Sequence, residues 1–238
     1  MTKKPSKQFY VDTPLMPGGL TLPRALARRL HRVLRMKPGQ EIALFNSRDG
    51  LWQAQLDTPA DGRTTVIKQI REQPDSRNLH LFLALAKRDA FDRAVRQATE
   101  LGVSHIHPVQ TAFSVPDKLN TERLKNTILE AAEQCERLTL PVLNSAAPLK
   151  EAVTAFGAPL YWADEGPKNE AYTGWNSSHE GEIGEGALIG PEGGFSPEER
   201  TWLHGQQGVI PVGLGHNILR VDTAVCAALT LVNANRRR

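Results

Sequence analysis

Cysteine is nearly absent from this chain. Cys135 and Cys226 are the two in 238 residues, too few for a disulfide framework, and no C-x-x-C or His/Cys cluster offers metal-ligand spacing. Both fall in predicted helices, which suits buried free thiols in a reducing compartment. No apolar run approaches the roughly 18 residues that a membrane-spanning helix needs. The start, Met1-Thr2-Lys3-Lys4-Pro5, is basic without a following apolar stretch, so it does not read as a secretory signal. No Gly-Lys pair occurs, which removes the phosphate loop G-x-x-x-x-G-K-[ST]. These absences point to a cytoplasmic protein with no metal and no membrane span.

Acidic residues are missing from one long stretch, between Asp12 and Glu41. Residues 1–77 carry 14 Lys+Arg against 7 Asp+Glu, net +7, while residues 78–238 carry 15 against 19, net −4. A basic amino-terminal part fits a polyanionic partner. Residues 20–36 predict a helix capped by Thr21, with Leu26, Leu30, Val33 and Leu34 as its apolar stripe. Arg24, Arg28, Arg32 and Arg35 recur on a second face, with His31 among them. An exposed helix normally mixes charge signs. A face that is only basic reads as a phosphate-binding surface, which supplies affinity and register rather than sequence choice. A merely solvated face is the bland alternative.

What the chain does have is a pair of glycine-rich turns near its end. The first runs Leu188-Ile189-Gly190-Pro191-Glu192-Gly193-Gly194-Phe195-Ser196-Pro197-Glu198-Glu199, the second Leu214-Gly215-His216-Asn217-Ile218-Leu219-Arg220-Val221-Asp222-Thr223-Ala224. Glycine permits positive φ and close backbone approach to a ligand. Ser196-Pro197-Glu198-Glu199 reads as a capping box with proline in the first helical position. The spacing G-x-x-G-G does not fit the dinucleotide fingerprint G-x-G-x-x-G. Two strand-to-helix turns read as two walls of one small-molecule pocket, or as turns rich in glycine for geometry alone.

Residues 41–46, 51–57 and 64–70 predict short antiparallel strands turned at Asp49-Gly50 and Ala60-Asp61-Gly62. A linker is expected near 73–78, dividing a domain of residues 1–74 from one of 78–238. Beyond it, strands at 79–86, 106–109, 142–143, 160–163, 187–189 and 209–212 alternate with helices near 89–101, 120–138, 148–156, 197–205 and 222–234. That alternation predicts an α/β parallel sheet covered by helices, with ligands outside the carboxyl ends of the strands. His105 and His107 alternate along a strand and read as structural. Residues 165–186 read as a polar loop near the pocket mouth, and Arg236-Arg237-Arg238 as a solvated tail.

With GPEGGFS followed by LG-x-x-ILR-x-x-TA, the chain resembles the RsmE family of SPOUT RNA methyltransferases. His31-Arg32-Val33-Leu34-Arg35 with Gly39, Lys87 with Ala98–Val103, and Glu130–Arg137 are similar to further family segments, in the same order. The resemblance implies a SPOUT-type sheet with a deep trefoil knot, a small PUA-like β-barrel before it, and a homodimer. It implies S-adenosylmethionine-dependent methylation of N3 of a uridine in 16S ribosomal RNA, as free RNA or in the small subunit. Asp222 stands where the family usually has glutamate, and Gln97 where it often has lysine.

On that basis the cofactor is expected against Leu188, Ile189, Gly190, Glu192, Gly193, Gly194, Leu214, Gly215, Ile218, Leu219 and Thr223. Arg220 is expected to stabilise the uracil anion or a phosphate. Glu192 is a candidate base or donor contact, or a brace for its loop. Asp222 is a candidate cap for the last helix. The competing readings are an RNA-binding protein without catalysis, methylation of a different RNA, and a phosphotransferase, which lacks its motif here.

Overall fold

The computed structural model describes residues 7–74, 78–115, 119–164 and 185–235. They group into two units, Met1–Ser76 with Ala132–Leu140, and Arg77–Ala131 with Pro141–Arg238.

The first unit holds β1 (Gln8–Tyr10), β2 (Gly18–Thr21), β3 (Glu41–Asn46), β4 (Gly50–Thr58) and β5 (Arg63–Arg71) in one sheet of order β1-β3-β4-β5-β2. β1 runs parallel to β3, and the other neighbours are antiparallel. The turns expected at Asp49-Gly50 and Ala60-Asp61-Gly62 join β3 to β4 and β4 to β5. Gly50 (φ 75°) and Gly62 (φ 76°) take the positive φ they require. Short β1 and β2 gave no readable alternation. Phe9, Leu22, Leu30, Ile42, Leu44, Leu56 and Val66 form the core on one face of the sheet. A second cluster joins Ala43, Phe45 and Leu51 to Ala132 and Leu138.

The helix expected over 20–36 is shorter and irregular. Leu20 and Thr21 pair with Thr64 and Arg63 in the sheet, so Thr21 is not a cap. The helix α1 (Arg24–Arg28) passes into a π turn, Arg29–Val33, closed by the bond from Leu34 N–H to Arg29 O (2.9 Å). The wider turn rotates Val33 off the predicted stripe; it is 71% exposed. Leu30 remains buried.

The second unit holds β6 (Leu79–Ala84), α2 (Arg88–Glu100), β7 (His105–Gln110), most of α3 (Thr121–Gln134), β8 (Val142–Leu143), β9 (Ala147–Pro148), α4 (Leu149–Phe156), β10 (Leu160–Ala163), β11 (Glu185–Ile189), α5 (Pro197–His204), β12 (Val209–Val212) and α6 (Val221–Asn235). Its sheet has the order β12-β10-β11-β6-β7-β8, with β9 also on β7. Every pairing is parallel, so all carboxyl ends share one edge. Leu79, Leu81, Phe82, Leu83 and Ala84 are all buried, as a strand covered on both faces requires.

Two expectations need correction. Cys135 lies just beyond α3, which stops at Gln134, and it is exposed rather than buried; Cys226 is half-buried in α6, and both are free. The loop expected over 165–186 gives way to β11 at Glu185; its residues 165–184 and the tail 236–238 lie outside the described residues. Among the described residues, no helix is long and apolar enough to cross a membrane.

Candidate active site and nucleic-acid interface

The two glycine turns leave the sheet on the same side. β11 delivers Gly190–Phe195 and β12 delivers Gly213–Arg220, each at a carboxyl end, with β10 between them. One helix holds both. At the start of α2, the Lys87 N–H donates to Glu192 Oε1 (3.3 Å) in the first turn. Farther along, Arg93 Nε donates to Asp222 Oδ2 (2.8 Å), just past the second turn. These residues are six apart, about 9 Å of helix, so both turns lie within the reach of one small molecule.

The first turn is fixed at several points. Gly194 N–H closes on Pro191 O (2.9 Å), and Gly194 has φ 69°. Gly190 and Gly193 have no such φ; theirs is a matter of space. A Cβ on Gly190 would lie 2.7 Å from the Phe195 ring, and one on Gly193 3.1 Å from Phe113 Cβ. The capping box forms as expected: Glu199 N–H donates to Ser196 Oγ (3.2 Å) and Ser196 N–H to Glu199 Oε2 (2.9 Å). The other Glu199 oxygen accepts the Ala112 N–H (2.8 Å), tying this loop to the one after β7. Leu188 and Ile189 are buried in β11, so only their peptide groups can meet a ligand.

The second turn is open. Gly215 has φ 115°, and a Cβ there would meet nothing within 4 Å. The peptide groups from Leu214 to Leu219 bond to no other described residue. Ile218 is 74% exposed, so plain core packing does not explain it, and Leu214 and Leu219 are half-buried beside it. Free peptide donors and acceptors next to bare apolar side chains suit a purine and an amino-acid moiety. The residues therefore fit S-adenosylmethionine.

Arg220 is exposed, and its guanidinium bonds to no described residue. Thr223 is exposed in the first turn of α6. Asp222 is mostly buried, with 13% of its side chain exposed; the bond from Arg93 holds its carboxyl below the usual carboxylate range. Its role is thus to brace α6 against α2. Nothing in the sequence pointed to Arg93, because its partner is 129 residues away. Just past β10, the Oδ2 of buried Asp164 accepts from Arg200 Nη2 (3.0 Å), an ion pair that anchors α5.

In the first unit, Arg24, Arg28, His31, Arg32 and Arg35 are all exposed, and none is bonded through its side chain to a described residue. The exception is Arg29. It pairs with Glu133 Oε2 (2.7 Å) and lies 5.6 Å above the Phe9 ring.

Among the described residues, a cavity of about 260 Å³ belongs to the first unit, and one of about 170 Å³ lies at the amino ends of β10 and β12. Neither is lined by the glycine turns. No cluster of three or more His, Cys, Asp or Glu among the described residues could hold a metal ion.

Residues 73–233 match the RNA methyltransferase domain family, and residues 30–63 the RNA methyltransferase PUA domain. The chain is 32% identical over 202 residues to "Ribosomal RNA small subunit methyltransferase E" of Rickettsia conorii, covering 84% of this chain and 83% of that one. A ribosomal RNA small subunit methyltransferase E of Neisseria gonorrhoeae, bound to S-adenosyl methionine, shares the fold at TM-score 0.85 and 24% identity, over 96% of this chain and 97% of that one. A Legionella pneumophila protein solved with the cofactor SAM is 26% identical at TM-score 0.82, covering 95% and 96%. The chain belongs to the ribosomal RNA small subunit methyltransferase E family.

Proposed function

We propose that this protein transfers a methyl group from S-adenosylmethionine to N3 of a uridine in small-subunit 16S ribosomal RNA. The observation that carries this reading is the pair of glycine turns on one sheet edge, both bonded to α2. Family membership and the S-adenosylmethionine bound by two structural relatives support it.

The cofactor would lie against the peptide groups of Gly190–Gly194 and Leu214–Leu219, its adenine beside Ile218 and Leu219. It supplies an activated methyl on a sulfonium that is its own leaving group. The protein's task is then orientation, which can lower a barrier by roughly 7–11 kcal/mol. N3 of uracil must also lose a proton. Arg220, permanently charged and without a bonded partner among the described residues, would take the charge that develops on the flanking carbonyl oxygens. Glu192 holds its loop to Lys87 and keeps a second oxygen for the donor or the acceptor proton. Arg24, Arg28, His31, Arg32 and Arg35 would draw the RNA backbone to the first unit. The domain division at residues 74–78, a knotted path through the sheet, a homodimer and a cytoplasmic setting belong to the same reading.

The test is incubation with labelled donor and either ribosomal RNA or small subunits, followed by mass-spectrometric mapping. A new methyl on uridine N3 is expected; none on either substrate would overturn the proposal.

A further inference from the structure

The irregular backbone of the first unit converges on one place. The π turn begins at Arg29. Among the described residues, two that are not glycine have φ in the left-handed range, Arg35 (52°) and Glu136 (57°). Such conformations cost energy and gather where they serve a site. Arg29 and Glu136 line a cavity of about 260 Å³, as does Leu34, the residue before Arg35. The π turn explains part of this. Its i→i+5 bond, Leu34 N–H to Arg29 O, brings residues five apart onto one face, so both side chains reach the cavity.

The lining has a definite chemistry. Phe9, Leu34, Ala43 and Leu51 make an apolar floor. The charged members, Lys7 and Arg29 against Glu133 and Glu136, cancel, and Arg29 and Glu133 are already paired. A neutral cavity does not select an anion. It suits an uncharged planar group rich in donors and acceptors, with the Gln134 amide at hand to bond its edge. Arg32 and Arg35 flank the lining residue Leu34 in the chain and are exposed and without bonded partners among the described residues, which suits phosphates. A neutral cavity lined by a segment that also carries free arginines is the combination that a single unstacked nucleotide requires, a neutral site for its base and cations for its backbone.

We infer that this cavity receives one extruded base of the RNA, at a subsite of the first unit separate from the methyl-transfer loops. The inference rests on the proposal that RNA is the substrate. The base positions the strand; it is not the base that is methylated.

The test uses the full chain and a fluorescein-labelled single-stranded RNA of about 15 nucleotides spanning the methylated segment, with abasic residues placed one at a time. Wild-type protein should lose about tenfold in affinity at one abasic position, the scale of a single stacked base. Gln134→Trp, which fills the cavity from the exposed end of α3, should bind the intact RNA about tenfold more weakly. It should also be indifferent to that abasic position and keep the wild-type salt slope, since no phosphate contact is lost. Lys7→Trp fills the same space from β1's side and replaces Gln134→Trp if its thermal melt is not that of wild type. A flat abasic scan, or plugged variants that bind like wild type, would overturn the subsite while leaving methylation of the small subunit untouched. Failure of wild type both to bind this RNA and to methylate subunits would overturn the underlying reading as well.

Discussion

Arg93 Nε sits 2.8 Å from Asp222 Oδ2, joining the second turn of α2 to the first turn of α6. Asp222 follows Arg220 by two residues, so this bond sets where the Arg220 guanidinium starts from. Arg93→Ala should leave donor affinity nearly unchanged and lower the methylation rate by about tenfold, through misplacement rather than lost chemistry. Arg93→Lys, which cannot reproduce the guanidinium geometry, should recover only part of it. Single-turnover rates with calorimetric donor binding separate the two effects. A loss confined to donor affinity would contradict the positioning role.

Arg220 itself carries a stronger expectation. Its side chain supports no described neighbour, so Arg220→Ala should melt like wild type and bind the donor normally. Methylation should fall by roughly 10²–10³, the usual cost of losing one donor to a developing anion. Full activity in a folded variant would remove Arg220 from the mechanism.

The parts of this molecule that were readable in the sequence are those governed by neighbours along the chain. The capping box at Ser196 and the strand Val209–Val212 were expected where they are found, because local turn chemistry and apolar runs determine them. The π turn was not readable. Leu26, Leu30 and Val33 fit an ordinary helical stripe, and only the packing of Leu30 and Leu34 against the sheet reveals the extra residue in the turn. Likewise Arg93, Ala112 and Phe113 carry no motif of their own, and Lys87 was marked only by resemblance, with no role attached. They belong to the site because parallel crossovers bring loops after β6, β7 and β11 to one edge. Glu192 and Asp222 were visible; that Lys87 and Arg93 hold them was not.

The exposed arginines predict a salt effect. Replacing Arg28, Arg32 and Arg35 together by alanine should weaken RNA binding and flatten log K against log [salt] by roughly 2–3, given about 0.7–0.9 counterions released per phosphate contact. Filter binding between about 50 and 200 mM salt spans the informative range. An unchanged slope would place the phosphate contacts elsewhere.

The first unit has its own dependence on a distant stretch of chain. Ala132 and Leu138 pack with Phe45 and Leu51. Buried Glu133 accepts from both Arg29 (2.7 Å) and the Tyr10 N–H (3.2 Å). A fragment ending near residue 76 lacks all of these, and it should fail to show a cooperative thermal transition. Within the full chain, Glu133→Ala should cost on the order of 2 kcal/mol, less than a fully buried pair because Arg29 is partly solvated. A fragment of residues 1–76 that melts cooperatively would show that the 132–140 segment is dispensable.

Acid should destabilise the second unit through its histidines. His80, His105 and His107 stack along β6 and β7, with ring centroids 4.5 Å (His80–His105) and 5.2 Å (His80–His107) apart. His80 Nδ1 lies 2.9 Å from His107 Nε2. Asn144, Phe82 and Phe156 enclose the His107 ring. Burial, with the nearby His105, pushes the His107 pKa down to about 4, and burial lowers His105 as well. Each folded value lies below the unfolded one near 6.5, so the unfolded chain binds more protons between the two. Stability is therefore full above about pH 6.5 and falls as pH drops toward 4, with no further loss from this residue below that. The melting temperature should decline over that window by several degrees more in wild type than in His107→Asn, which has no imidazole to protonate at that position. Parallel declines in the two proteins would mean that the stack does not resist protonation.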